Sequence, residues 1–143
     1  MSAERIATVL PVAEEDAKGK VAEIFADIKK TKNIPFVPTL WRVLATNPDH
    51  LDLVWSRLKA LMHPDAAGRQ SKLDATTREI IALAVSATNG CSYCVNSHTA
   101  ALQKLGLSTE ALGEVIAIVG LFNNTNAIAD GYQIEPDIVP AME

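Results

Sequence analysis

The sequence is poor in cysteine, in aromatic residues and in long hydrophobic runs. Only two of its 143 residues are cysteines, and only 5% are aromatic although 48% are apolar. Alanine, leucine, isoleucine and valine must therefore supply most of the core, and a chain of this length can bury one. No apolar run approaches the roughly 18 residues that a membrane-spanning helix needs, so no membrane partner is expected.

Charge of one sign is nowhere concentrated in this chain. Thirteen basic and 17 acidic residues are interspersed and give a net charge of −4. Without a basic stripe, neither nucleic acid nor an anionic membrane is expected as a partner. The N-terminal stretch MSAERIATVLPVAEEDAKG has early acids and a brief apolar run, which is not typical of a secretory signal. We therefore expect a cytoplasmic location, where cysteines are kept reduced.

Strand patterns are also scarce, because apolar residues recur mainly at helical spacing. No proline lies between Pro64 and Pro136, which permits long helices. We predict an all-α fold of six or seven helices forming a single domain over residues 1–143. The first helix, from about Glu14 to Lys30, carries one apolar face made of Val21, Ile24, Phe25 and Ile28.

Capping residues predict where the later helices begin and end. Besides a short helix at about 39–45, they predict helices that start near residues 48, 75, 91 and 109, the last followed by an irregular tail. The helix that contains Glu79 is almost wholly apolar beyond that residue, so it is expected to be buried on most sides. The residues typical of helix starts are Asn47, Asp74 and Ser108, and those typical of helix ends are Gly90 and Gly106.

Both cysteines and one of the three histidines fall within ten residues, NGCSYCVNSH. Cys91, Cys94 and His98 lie at i, i+3 and i+7, which places them on one face of a helix. If the helices on either side of the Asn-Gly turn form an antiparallel hairpin, Glu79 and His98 both lie roughly 13–16 Å from the turn, at ~1.5 Å per residue. A carboxylate, an imidazole and a thiol would then converge.

This convergence suits thiol chemistry, because the reactive species is the thiolate and an unassisted cysteine, with a pKa of ~8.5, is mostly protonated at neutral pH. A histidine one turn from Cys94 accepts its proton, and a carboxylate holds the resulting imidazolium. Cys91 lies nearer the helix start, whose N–H groups favour an anion less strongly than a close base does. We therefore predict that Cys94 is the attacking thiolate and Cys91 the resolving thiol.

The arrangement of Glu79, eleven residues, CSYC, three residues and His98 resembles the signature of the alkylhydroperoxidase D-like (AhpD-like) group of the carboxymuconolactone decarboxylase superfamily. The flanking stretch REIIALAVSATNGCSYCVNSHTAALQKLG resembles it as well. The stretches AKGKVAEIFADIKK, NPDHLDLVW and LFNNTNAIAD are similar to peroxidase-related members. The resemblance implies a single-domain all-α fold and homo-oligomers, trimers or hexamers.

The resemblance also implies a reaction. Glu79, through His98, would deprotonate Cys94, which would attack a peroxide substrate and become a sulfenic acid, and Cys91 would then close a disulfide. This redox-active disulfide would serve without a bound cofactor or metal, and an external dithiol, a lipoyl or thioredoxin-like protein, would reduce it. Tyr93 stands where some members have a second histidine, whose role cannot be transferred. The decarboxylating branch lacks the CxxC pair, so decarboxylation is not expected.

Two other classes of function compete with a thiol peroxidase. The same cysteines would serve a thiol–disulfide oxidoreductase, or the two thiolates with His98 and Glu79 would hold zinc in a non-enzymatic subunit. Simpler roles also compete: Glu79 would form an ion pair with Arg78, and Tyr93 would either line a substrate pocket or only pack. Trp41 and Trp55 are expected in the core or at a subunit contact.

Overall fold

A computed structural model of the chain describes residues 7–143, which contain helices and no strand. The predicted all-α fold is confirmed. The N-terminal stretch that is not expected to be a secretory signal includes residues 1–6, which lie outside the described residues. The six α-helices are α1 (Gly19–Lys32), α2 (Thr39–Leu44), α3 (Pro48–Met62), α4 (Ala75–Asn89), α5 (Ser92–Lys104) and α6 (Thr109–Gly131), and Glu14–Asp16 and Asp65–Ala67 form short 3-10 helices.

The contacts between helices divide the chain into two compact units, one ending at Lys72 and the other beginning at Leu73. In the first unit α1 and α2 both pack against α3. In the second unit α4 packs against both α5 and α6. That the two units form a single domain remains a prediction.

The first unit contains the main hydrophobic core. The four residues predicted to form the apolar face of α1, Val21, Ile24, Phe25 and Ile28, are all buried. Trp41 of α2 and Trp55 of α3 are each 3% exposed, and their rings meet edge to face with centroids 5.1 Å apart. Such aromatic pairs add stability beyond the area they bury. Both tryptophans are therefore core residues, one of the two places expected for them.

The predicted start of the first helix was wrong. Glu14 lies in the 3-10 helix, and α1 begins at Gly19. The Glu14 carboxylate accepts a hydrogen bond from the backbone N–H of Val37 at 3.0 Å and pairs with Lys29 at 3.1 Å. These two bonds lower the pKa of Glu14. The acidic segment is therefore used in tertiary contacts with the loop after α1, which local helix signals do not reveal.

Asp27 joins α1 to α3 at the edge of the core. Its carboxylate accepts a hydrogen bond from Trp55 Nε1 at 2.8 Å and from Lys59 Nζ at 2.9 Å. Burial by itself raises the pKa of Asp27, but the bonds from Trp55 and Lys59 outweigh it and hold the pKa below its ordinary value of 3.8. The charged form of Asp27 is thus the form that the fold stabilises.

The second unit buries far less of its apolar surface. Its buried residues are Leu83, Ser86 and Leu102. The prediction that α4 is buried on most sides was wrong for the single chain, because Ile81 is 48% and Val85 55% exposed. The apolar run of α4 is wider than the surface that α5 and α6 cover.

Helix α6 is the most apolar of the exposed helices. It has no buried residue over its 23 positions, and its exposed large side chains are Ile116, Ile118, Leu121, Phe122 and Ile128. By length and composition alone it is also the one helix within residues 7–143 that is long and apolar enough to cross a membrane. That resemblance is weak support for a membrane span, because core helices of many proteins have the same length and composition.

The Asp27 contacts predict how the stability of the protein responds to mutation and pH. Asp27→Asn removes the ion pair with Lys59, so chemical denaturation at pH 7 should show a loss of about 1 kcal/mol, small because the carboxylate is partly exposed. Since the folded pKa of Asp27 is lowered, its contribution is complete above the unfolded pKa and is lost as pH falls through the folded pKa. The difference between wild type and variant should therefore shrink below about pH 4.

The matched control is Asp49→Asn, because the side chain of Asp49 is 91% exposed in its ion pair with Lys20. This variant should keep the wild-type unfolding free energy within about 0.5 kcal/mol. Equal effects of the two substitutions at pH 7 would contradict the role given to Asp27.

Candidate active site

The turn between α4 and α5 places both cysteines at the end of a helical hairpin. Gly90 has a φ of +72°, a left-handed conformation that glycine adopts without strain. The N–H of Gly90 donates to Ala87 O at 3.3 Å, and the N–H of Cys91 donates to Ser86 O at 3.0 Å. These bonds satisfy carbonyls at the end of α4, and they hold the backbone of Cys91 against that end.

The two cysteines are joined by a disulfide, with Cα atoms 5.3 Å apart. Cys91 has a non-helical backbone and is the N-cap of α5, so the helix starts at Ser92, one residue later than predicted. The Sγ atom of Cys91 accepts a hydrogen bond from the N–H of Cys94 at 3.2 Å. An acceptor at this position satisfies one of the free N–H groups of the helix start, as a polar N-cap side chain does.

Glu79 of α4 and His98 of α5 meet across the hairpin. Glu79 Oε2 lies 2.7 Å from His98 Nδ1, and the side chains are 15% and 25% exposed. Because a carboxylate only accepts, Nδ1 is the donor in this bond, and Nε2 is the ring nitrogen left for another partner. Arg78, the other partner considered for Glu79, donates instead to the carbonyl of Leu73.

Helical spacing places this pair beside the disulfide. His98 lies four residues after Cys94 on the same helix, so the two side chains occupy neighbouring positions on one face. The structure therefore brings Glu79 to His98 and Cys91 to Cys94 within one hairpin. That these four residues are catalytic remains a prediction.

Tyr93 lies between the cysteines and is 44% exposed. Its predicted place in a substrate pocket remains a prediction. A further residue, Ser86, was missed by the sequence analysis: it is 8% exposed and is the buried polar residue within 7–143. Its signal was present, because a serine seven residues after Glu79 shares the face of α4 that carries Glu79.

No group of three or more histidine, cysteine, aspartate or glutamate residues within residues 7–143 is arranged to hold a metal ion. In the structure the two sulfurs are bonded to each other, whereas zinc coordination requires free thiolates. Zinc binding by Cys91 and Cys94 would therefore require the reduced form of the pair, and it remains an alternative.

The fold and the site define an AhpD-like helical protein with a disulfide-linked CxxC pair. The chain aligns with a crystal structure of the alkylhydroperoxidase AhpD core from Rhodospirillum rubrum with a TM-score of 0.84 and 38% identity, over 93% of this chain and 96% of the other. The model of the carboxymuconolactone decarboxylase family matches residues 49–134. The chain belongs to the carboxymuconolactone decarboxylase family, as the resemblance of its central motif predicted.

Two of the curated relatives are named for different reactions. An (R)-2-haloacid dehalogenase from Pseudomonas putida is 34% identical over 113 residues, which are 78% of this chain and 35% of that protein. An alkyl hydroperoxide reductase AhpD from Streptomyces griseus is 26% identical over 132 residues, 90% of this chain and 71% of that protein. The chain thus spans about a third of the length of the dehalogenase.

Proposed function

We propose that this protein is a thiol-dependent alkyl hydroperoxidase that reduces organic or hydrogen peroxides through a dithiol–disulfide cycle of Cys91 and Cys94. The observation that carries the proposal is the 2.7 Å contact between Glu79 Oε2 and His98 Nδ1, on the face of α5 that also bears Cys94. The names of the AhpD relatives support the same class of reaction.

The contact supplies a base for the thiol. Since Nδ1 donates to Glu79, Nε2 is left to take the proton of Cys94, directly or through a water. The carboxylate then stabilises the imidazolium that forms, and its hydrogen bond keeps the ring in the required tautomer. Partial burial of both side chains strengthens this interaction relative to one in bulk water.

The proposed cycle has three steps. The Cys94 thiolate attacks one oxygen of the peroxide, the O–O bond breaks, Cys94 becomes a sulfenic acid, and the leaving oxygen takes the proton from His98. The thiol of Cys91 then displaces water from the sulfenic acid and forms the disulfide present in the structure. An external dithiol, carried by a lipoyl or thioredoxin-like protein, is oxidised as it restores both thiols. No bound cofactor is required.

Two other reactions fit parts of the site. Disulfide exchange with a protein partner would use the same two cysteines without a peroxide. Hydrolytic removal of halide, suggested by the name of the Pseudomonas relative, would need an activated water and the Glu79–His98 base but no thiol. Cys94→Ser therefore separates them, because it should abolish peroxide reduction and disulfide exchange and leave dehalogenation of an (R)-2-haloacid intact.

A rate comparison tests the proposed function. The wild-type protein with dithiothreitol should consume cumene hydroperoxide faster than it reduces a model disulfide, and Glu79→Gln should slow peroxide consumption by about 10²-fold or more. Glu23→Gln, which changes an exposed glutamate of α1, is the matched control and should retain the wild-type rate. Faster disulfide reduction than peroxide consumption, or halide release that survives Cys94→Ser, would replace the proposal with the corresponding rival.

Trapping in single mutants tests the division of labour between the cysteines. With one equivalent of peroxide, Cys91→Ser should accumulate a sulfenic acid at position 94, because the resolving thiol is absent. Cys94→Ser should form little, because Cys91 lies almost two helical turns from His98. Mass spectrometry after dimedone labelling gives the yield in each. A fast reaction kept by Cys94→Ser and lost by Cys91→Ser would show instead that the N-terminus of α5 is the main activator.

We further propose that the protein works as a homo-oligomer, a trimer or a hexamer, in which the exposed apolar side chains of α6 contact a second copy. A helix of 23 residues without a buried side chain is unusual in a monomer, which rarely exposes so large an apolar patch. The middle of α6, Val115–Ala129, contains no charged residue, so no charge there would repel the α6 helix of a second copy.

Sedimentation velocity at micromolar concentration should therefore show a trimer or larger. Leu121→Glu, in the middle of α6, should shift the protein to smaller species, because it places a charge in the proposed contact. Leu53→Glu is the matched control, since Leu53 is 73% exposed on α3. A monomeric wild type, or recovery of the protein in the membrane fraction, would rule out this use of α6.

A further inference from the structure

Ser86 is a polar side chain in a position that the proposed cycle does not use. It is 8% exposed, and its Oγ donates to the Ala82 carbonyl of its own helix at 2.7 Å. A hydroxyl has one proton to donate and two lone pairs. The hydroxyl of Ser86 can rotate about its C–O bond and direct this proton to another acceptor without a change in the backbone.

The register of the hairpin places Ser86 at the level of Cys91. The contact between Glu79 and His98 shows that these two residues lie at the same height in the hairpin. Ser86 follows Glu79 by seven residues and Cys91 precedes His98 by seven, so both lie equally far towards the turn. Within α4, seven residues return the side chain of Ser86 to within about 20° of the direction of Glu79. The bond from Cys91 N–H to Ser86 O at 3.0 Å, part of the turn that ends α4, also holds the backbone of Cys91 beside the carbonyl of Ser86.

The direction of Ser86 around α4 also points to α5. Thr88, two residues later, faces α6, because its hydroxyl donates to Asn123 Oδ1 of that helix at 3.2 Å. Side chains two residues apart on a helix point about 160° away from each other, so Ser86 points away from α6. Glu79 faces α5, and Ser86 shares its direction. The buried hydroxyl therefore lies on the stripe of α4 that faces the cysteine-bearing helix.

We propose that, when the disulfide is reduced, the Ser86 hydroxyl donates a hydrogen bond to the Cys91 thiolate. Ser86 is then a positioning residue, and it makes Cys91 a better leaving group when an external dithiol reduces the disulfide. The Cys94 N–H, which already points at Cys91 Sγ at 3.2 Å, supplies a second donor. A thiolate that receives two hydrogen bonds is stabilised over the thiol. Each cysteine then has its own activating group, His98 for Cys94 and Ser86 for Cys91.

This inference rests on the proposed use of the two cysteines as a redox pair, but its test reads thiol acidity rather than peroxide consumption. In a Cys94→Ser background the one remaining thiol is Cys91, and the pH dependence of its alkylation by iodoacetamide reports its acidity. Adding Ser86→Ala should raise the midpoint by about half to one pH unit, a three- to tenfold loss of thiolate at neutral pH. Ser97→Ala, at an exposed serine of α5, is the matched control.

The other ionisable groups of the three helices stay unchanged in all variants: on α4 and α5 these are Arg78, Glu79, Tyr93, His98 and Lys104, and on α6 they are Glu110, Glu114 and Asp130. A second pair of variants separates the hydroxyl from its packing. Ser86→Thr keeps the hydroxyl and should keep the alkylation midpoint of Cys91. Ser86→Val has nearly the shape of the threonine variant but no hydroxyl, so it should raise that midpoint.

With both cysteines present, equilibration with dithiothreitol gives an independent measure. At a pH above the alkylation midpoint, where Cys91 is a thiolate in the reduced protein, Ser86→Ala should make the Cys91–Cys94 disulfide three- to tenfold harder to reduce, where tenfold corresponds to about 30 mV. An unchanged alkylation midpoint in Ser86→Ala, or equal shifts in the threonine and valine variants, would overturn the inference. If Ser86→Ala raises the alkylation midpoint but the wild-type protein consumes no peroxide, the inference about Ser86 stands and only the proposed function is rejected.

Discussion

The candidate site depends on the left-handed turn at Gly90. This turn sends α5 back along α4 and ties the backbone of Cys91 to the carbonyl of Ser86, so it fixes the register of the two helices from the turn outward. With that register set, Glu79 and His98 arrive at the same level and meet at 2.7 Å. A shift of one residue would rotate either side chain by about 100° and separate the pair.

The two units of the chain differ in how they are stabilised. The first has an aromatic and aliphatic core closed at its edge by Asp27, whose carboxylate holds α3 through Trp55 and Lys59. The second has few buried residues, and its longest helix exposes apolar side chains along its length. Hydrophobic burial is the main favourable term in folding, so the second unit is the part of the chain for which contact with another copy would contribute most.

In the candidate site the two sulfurs have different neighbours, at opposite ends of one short segment. A helix start and its N–H groups act on Cys91, and an imidazole held by a carboxylate stands one turn after Cys94. A dithiol with different surroundings for its two sulfurs can assign attack to one and resolution to the other. Membership of a family does not by itself fix the reaction of this hairpin, because a fold is shared more widely than its chemistry.

By itself the sequence determined the helical class, most helix starts, the apolar face of α1 and the family, because caps at Asn47, Asp74 and Ser108 and the spacing of Cys91, Cys94 and His98 are local properties of the chain. Tertiary structure decided the rest. Glu14 left the first helix because its carboxylate binds Val37 and Lys29, contacts that no local signal records. Only packing showed that α4 is half-exposed and that Ser86 is buried, because burial depends on which neighbouring helices cover each face.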